Sequence, residues 1–141
     1  AGKLARMLVP DGEGASKLVT VTVRGAASRR DALAAARSVA NSPLVKTAIN
    51  GQDPNWGRIM MALGKSPARI DQDKVAISFD DETVVERGML REGVRLPRVR
   101  EIMGGTDYTI AIDLGLGRGE ETVWTCDLSE EYVRLNAKYT T

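Results

Sequence analysis

Between Leu18 and Val23 the chain reads LVTVTV, a strict alternation of apolar and hydroxyl-bearing residues, nearly all of them β-branched. A period of two fits a strand with one buried face and does not fit a helix. The same period returns twice. Ile110, Ile112 and Leu114 alternate with Thr109, Ala111 and Asp113, and the stretch from Glu121 to Leu128 alternates as well. The fold therefore needs a sheet with one face turned to an apolar layer. Gly115 to Gly119 joins the last two segments and predicts a hairpin. Val75 to Phe79 and Thr83 to Glu86 flank Asp80-Asp81-Glu82 and predict another.

Helical segments supply the cover. Arg24-Gly25-Ala26-Ala27 is expected to turn the chain after the first strand. Ser28 is suited to cap a helix over residues 29–41, with Leu33, Ala36 and Val39 as its buried stripe. Ser42-Pro43 is expected to end that helix, and Leu44 to Ile49 is apolar but too short to assign. Asp53 followed by Pro54 reads as an N-cap and first helical position. The helix behind it carries Trp56, Ile59, Met60 and Leu63. Ile70 to Lys74 is a connection, and Pro97 to Met103 predicts a short helix stopped by Gly104-Gly105. Leu4, Met7 and Leu8 have helical spacing near the start, and Tyr132, Val133 and Leu135 are apolar near the end. No repeat or linker interrupts the chain. These elements predict an α/β fold, mixed α+β, of largely antiparallel hairpins with packed helices, as a single unit over residues 1–141.

Composition narrows the chemistry. Lys and Arg number 20 against 19 Asp and Glu, so a net charge of +1 gives no footprint for nucleic acid or an anionic membrane. There is no histidine and one cysteine, Cys126, which excludes an internal disulfide, a Cys/His zinc site and Ser-His-Asp or Cys-His catalysis from this chain alone. Cys126 falls on an alternating strand, where a buried inert thiol is expected. No apolar run approaches the length of a membrane span, and the start does not read as a signal peptide, so the expected compartment is the cytoplasm. Only 4% of residues are aromatic, so the core is expected to be Val, Leu, Ile, Ala and Met.

Three stretches ask for more than helix and strand punctuation. Asp11-Gly12-Glu13-Gly14 precedes the first strand. It reads as a turn, yet two glycines around an acid also let the backbone pass close to a ligand while presenting one carboxylate. It lacks the pattern of a phosphate loop. In Gly51-Gln52-Asp53-Pro54-Asn55-Trp56-Gly57-Arg58, a glycine in the first turns of a helix costs roughly 1 kcal/mol relative to alanine. That cost points to close packing by another element or to a site at the helix start. Asn136 and Thr141 are too far apart to share one face of a regular element, and meet at one ligand only if the tail bends.

The stretches DGEGASKLVTVTVRGA at 11–26, ANSPLVKTAINGQDPNWGRI at 40–59 and TCDLSEEYVRLNAKYTT at 125–141 together resemble the ornithine acetyltransferase family, also called bifunctional glutamate N-acetyltransferase. The likeness covers essentially the whole chain in the same order. It implies an arginine-pathway enzyme of the self-cleaving, N-terminal-nucleophile type. The precursor cleaves itself before a threonine, leaving α and β chains that remain together, usually as an α2β2 heterotetramer. The new terminal threonine takes the acetyl group from N-acetylornithine and passes it to glutamate, releasing ornithine and N-acetylglutamate. A chain-terminal amine with pKa near 8 is able to activate that threonine without histidine. This chain then corresponds to the C-terminal part of the β chain and is not expected to act alone. Its partners are the α chain and the rest of the β chain, and no cofactor is implied. Acetyl-CoA as an alternative acetyl donor stays open.

By the same resemblance Glu13, Asn136 and Thr141 match substrate-binding positions, with Glu13 on an ammonium of ornithine and Asn136 and Thr141 on its amino-acid end. No catalytic residue is expected within this chain. It begins Ala1-Gly2-Lys3, so the nucleophilic threonine is expected upstream of Ala1, and Thr20, Thr22 and Thr47 are not chain-terminal substitutes. The tail carries Lys138 and Thr140 where the family commonly has acidic and basic residues. A related self-processing aminopeptidase or amidase, and a non-catalytic structural fragment, are the alternatives.

Overall fold

A computed structural model of the chain describes residues 17–126. The helical patterns near residues 3–8 and after Ser129 lie outside the described residues. The first strand, β1 (Leu18–Ala26), runs three residues beyond the predicted alternation. The segment expected to turn instead continues it through a bulge between Val23 and Ala26. Gly25 makes this passage at φ +69°, and a Cβ there would lie 2.3 Å from Asp113 Oδ1 and 2.8 Å from the Gly115 nitrogen. Only glycine fits both the angle and the space.

Three helices follow. Ser28 caps α1 (Arg29–Ala40) by accepting from the Asp31 N–H. Its buried face is Ala32, Ala35, Ala36, Val39 and Ala40. The predicted Leu33 is only partly buried, because small residues let α1 lie close to the sheet. Ser42-Pro43 does end α1, and it also begins the next helix. Ser42 accepts from the Val45 N–H and Pro43 opens α2 (Pro43–Asn50), which settles the ambiguous stretch as helical. α3 (Trp56–Lys65) is capped by Asn55 and not by Asp53 as expected. A one-turn 3₁₀ helix spans Gln72–Lys74.

The predicted hairpin forms from β2 (Ala76–Phe79) and β3 (Glu82–Glu86), turned by Asp80 and Asp81. A short β4 (Met89–Leu90) pairs with β3 at the sheet edge. Glu82 is nearly buried yet ionic: Arg91 Nη2 donates to it at 2.9 Å, Arg95 Nη2 at 2.7 Å and the Arg95 N–H at 3.0 Å. The Arg95 side chain, helped by its N–H, holds the Glu82 carboxyl below the usual carboxylate range. α4 (Leu96–Met103) ends at Gly104 as predicted, followed by β5 (Asp107–Asp113) and β6 (Gly119–Cys126).

The sheet has six strands in the order β4-β3-β2-β5-β1-β6. This corrects the second predicted hairpin. β5 and β6 are not neighbours: β1 lies between them, parallel to β5 and antiparallel to β6, with Val21 opposite both Ile110 and Val123. The β5–β6 link crosses the end of β1, where the Leu114 N–H donates to Arg24 O at 2.9 Å and the Leu116 N–H to Gly25 O at 2.6 Å. The remaining pairs are antiparallel. The mixed α/β reading with largely antiparallel strands thus stands, with one parallel pair added.

Val19, Val21 and Val23 join Ile110, Ile112, Ile77, Val39, Leu63 and Met103 in a single apolar cluster between sheet and helices. The core is aliphatic as expected, with Phe79 tilted against Tyr108 as its aromatic pair. Cys126 is fully buried. The alternate residues of the strands, Thr20, Thr22, Thr109, Ala111 and Ser78, line the other face and are half-buried.

Candidate functional site

Two features of the described fold bear on function. The first is where the two halves of the 40–59 stretch meet. Asp53 folds back through its N–H to Ala48 O at 2.9 Å, which closes the loop between α2 and α3. Asn55 then accepts from the Arg58 N–H at 3.2 Å, while its amide reaches Asp53 Oδ2 at 3.3 Å. Arg58 Nη1 donates to Leu44 O at 3.0 Å, tying the start of α3 to the first turn of α2. The run Asn55-Trp56-Gly57-Arg58 therefore encodes a cap and a clamp. A Cβ on Gly57 would touch nothing closer than Asn55 Oδ1 at 3.5 Å. Crowding by another element does not explain that glycine, and nothing else among the described residues does.

Ser38 Oγ donates to Ala62 O at 2.6 Å and draws α1 against α3. Between these helices lies an open groove of about 410 Å³, lined by Arg37, Asn41, Ser42, Leu44, Arg58 and Lys65 among others. Asn41, Ser42, Leu44 and Arg58 belong to motifs singled out in the sequence. Arg37 and Lys65 were not singled out. They sit apart on two helices, and no local spacing signals that packing brings them together.

The second feature is where the remaining candidate segments join the fold. Glu13, Asn136 and Thr141 lie outside the described residues. The glycine-rich stretch that carries Glu13 leads into β1 at Leu18, and the closing motif that carries Asn136 and Thr141 leaves β6 at Cys126. Leu18 and Cys126 are antiparallel partners across β1 and β6, so the points of attachment are adjacent. Around them, Lys17 Nζ donates to Gly105 O at 2.9 Å and the buried Thr125 hydroxyl to Ala40 O at 3.0 Å. Two chain segments separated by more than a hundred residues thus enter one corner of the fold, beside the ends of α1 and α4.

The described residues define a two-layer α/β domain with a mixed six-stranded sheet, whose two flanking segments start side by side. The sequence model of the ArgJ family matches residues 1–141, and the chain belongs to that family. It is 52% identical over 136 residues to the arginine biosynthesis bifunctional protein ArgJ of Ruegeria pomeroyi, covering 96% of this chain and 33% of that protein. Identity to the same-named protein of Geobacter sulfurreducens is 49% over 138 residues, covering 98% of this chain and 35% of that one. The crystal structure of the arginine biosynthesis bifunctional protein argJ from Bacillus halodurans matches with a TM-score of 0.79 at 36% identity, over 97% of this chain and 64% of that one. The chain spans about a third of the length of these curated relatives. Among the described residues no helix is long and apolar enough to cross a membrane.

Proposed function

We propose that this chain is the C-terminal part of the β chain of an arginine-pathway acetyltransferase that moves the acetyl group from N-acetylornithine to glutamate. Its nucleophile is a chain-terminal threonine carried elsewhere in the same protein, freed by self-cleavage of a precursor with the N-terminal-nucleophile type of fold. The reaction runs through an acetyl-threonine ester. The threonine α-amine takes the hydroxyl proton, ornithine leaves, and glutamate attacks the ester. The oxyanion of each tetrahedral intermediate needs hydrogen-bond donors, which in this reading the α chain supplies. The reading requires no cofactor, places the enzyme in the cytoplasm, and gives it an α2β2 assembly. Acetyl-CoA is an alternative donor that the same ester would accommodate.

In this reading Glu13 pairs with an ornithine ammonium, and Asn136 and Thr141 hold the amino-acid end. The observation that supports it is the Leu18–Cys126 pairing, because two segments that start side by side are within reach of one small molecule. The match of the ArgJ family along all of residues 1–141, both flanking segments included, supports the same assignment. The test is Glu13→Gln in the whole enzyme. KM for N-acetylornithine is expected to rise about tenfold or more, as when a charge-assisted hydrogen bond is lost. An unchanged kcat/KM removes Glu13 from the site.

A further inference from the structure

We infer that the groove between α1, α2 and α3 is a binding site for a small oxyanion, a carboxylate or phosphate group carried on a short aliphatic body. Among the described residues the groove is lined by three cationic side chains, Arg37, Arg58 and Lys65, and by no carboxylate. That imbalance stands out in a chain whose formal net charge is only +1.

Among the described residues these cations make no ion pair. Arg37 Nε is buried and has no hydrogen-bond acceptor among the described residues. Arg37 also lines the groove, so an anion bound there would lie beside a cation whose charge is otherwise unmatched among the described residues. Arg58 uses Nη1 on Leu44 O, which fixes the guanidinium at the groove wall. The start of α2, capped by Ser42, adds its positive end to the same space.

The size of the groove suits a small molecule. A concave space of about 410 Å³ is of ligand size. Pro43, Leu44, Met61 and Ala62 add apolar lining to the charges. Leu44 and Met61 are large apolar residues left about half exposed, at 45% and 50%. A lining that mixes apolar and cationic side chains suits a ligand with an anionic end and a short carbon chain. None of these residues is a proposed contact of the acetyl-transfer site, so the two readings stand independently.

The test uses the whole enzyme, with its acetyl-transfer site filled by saturating ornithine, titrated calorimetrically with inorganic phosphate and, separately, with butyrate at low ionic strength. At least one of them is expected to bind saturably, and the one that binds identifies the anion class. Arg37→Gln and Lys65→Gln are each expected to weaken that binding about tenfold. Lys65 is exposed, so its variant keeps the test valid if Arg37→Gln fails to fold. Added sodium chloride is expected to weaken binding in the parent enzyme. The inference is overturned if neither anion binds, or if both variants bind like the parent. The acetyl-transfer assay, run in parallel, reports on the other site alone.

Discussion

Gly25→Ala should destabilise the fold at the crossing of β1 by the β5–β6 link, and the structure sets the size of the effect. Two costs add. Gly25 sits at φ +69°, and holding an L residue in the left-handed region costs roughly 1–2 kcal/mol. The new Cβ would also lie 2.3 Å from Asp113 Oδ1 and 2.8 Å from the Gly115 nitrogen. The carboxylate is able to swing, but it then loses the Gly115 N–H, which it accepts at 2.9 Å, and its ion pair with Arg24. The backbone nitrogen cannot move without displacing the link, a packing conflict worth about 1–3 kcal/mol. Gly93 is the internal control. It has φ +82° and nothing within 4 Å of its would-be Cβ, so Gly93→Ala carries the backbone cost alone. Both variants of the whole protein are compared by thermal unfolding, and by amide exchange at Leu114, Leu116 and Gly117, which donate to Arg24 O and Gly25 O. Gly25→Ala is expected to be the less stable by about 1–3 kcal/mol, with exchange at those amides faster by roughly 5- to 150-fold. Equal melting temperatures with unchanged exchange would refute the crossing geometry.

Asn55→Ala removes the cap of α3 and is expected to cost about 1 kcal/mol, read as a lower denaturant midpoint, with Asn55→Ser, which keeps a capping oxygen, retaining most of the stability; equal loss in both variants would show that the side-chain oxygen does not matter. Glu82 gives a pH dependence. Its carboxyl is lowered in the folded state, chiefly by the Arg95 side chain, so its contribution is complete above the ordinary glutamate pKa of about 4.3 and is lost as pH falls through the lower folded value. The stability difference between the parent and Glu82→Gln is expected to be constant near neutrality and to shrink below about pH 4; a difference independent of pH in acid would exclude the ionised, doubly paired carboxylate.

Local order was legible where one residue decides it. The hydroxyl of Ser28 and the stop at Gly104 set the limits of α1 and α4 as the sequence suggests. Ser42-Pro43 was half legible, because the residues that break one helix are also those that start another. At α3 the sequence pointed to Asp53 as the cap; the Asp53 N–H is instead engaged by Ala48 O, and Asn55 takes the role. Strand order was not legible. Alternation shows that β5 and β6 are strands and says nothing of their neighbours. The glycine-rich link between them is long enough to span one intervening strand, about 10 Å in all, and β1 fills that place from far away in sequence. The groove of Arg37, Arg58 and Lys65 has the same origin, since only packing of α1 on α3 gathers it. Glu13, Asn136 and Thr141 came from resemblance, and the described fold adds the adjacency of the strand ends from which their segments depart.

The most direct test is the mass of the threonine-initiated chain that contains this sequence, recorded after the whole enzyme is mixed with N-acetylornithine and again after glutamate is added. A gain of one acetyl group on that chain, lost on adding glutamate with formation of N-acetylglutamate, is the predicted result. A chain that is never acetylated, or whose acetyl group passes only to water, would contradict the assignment.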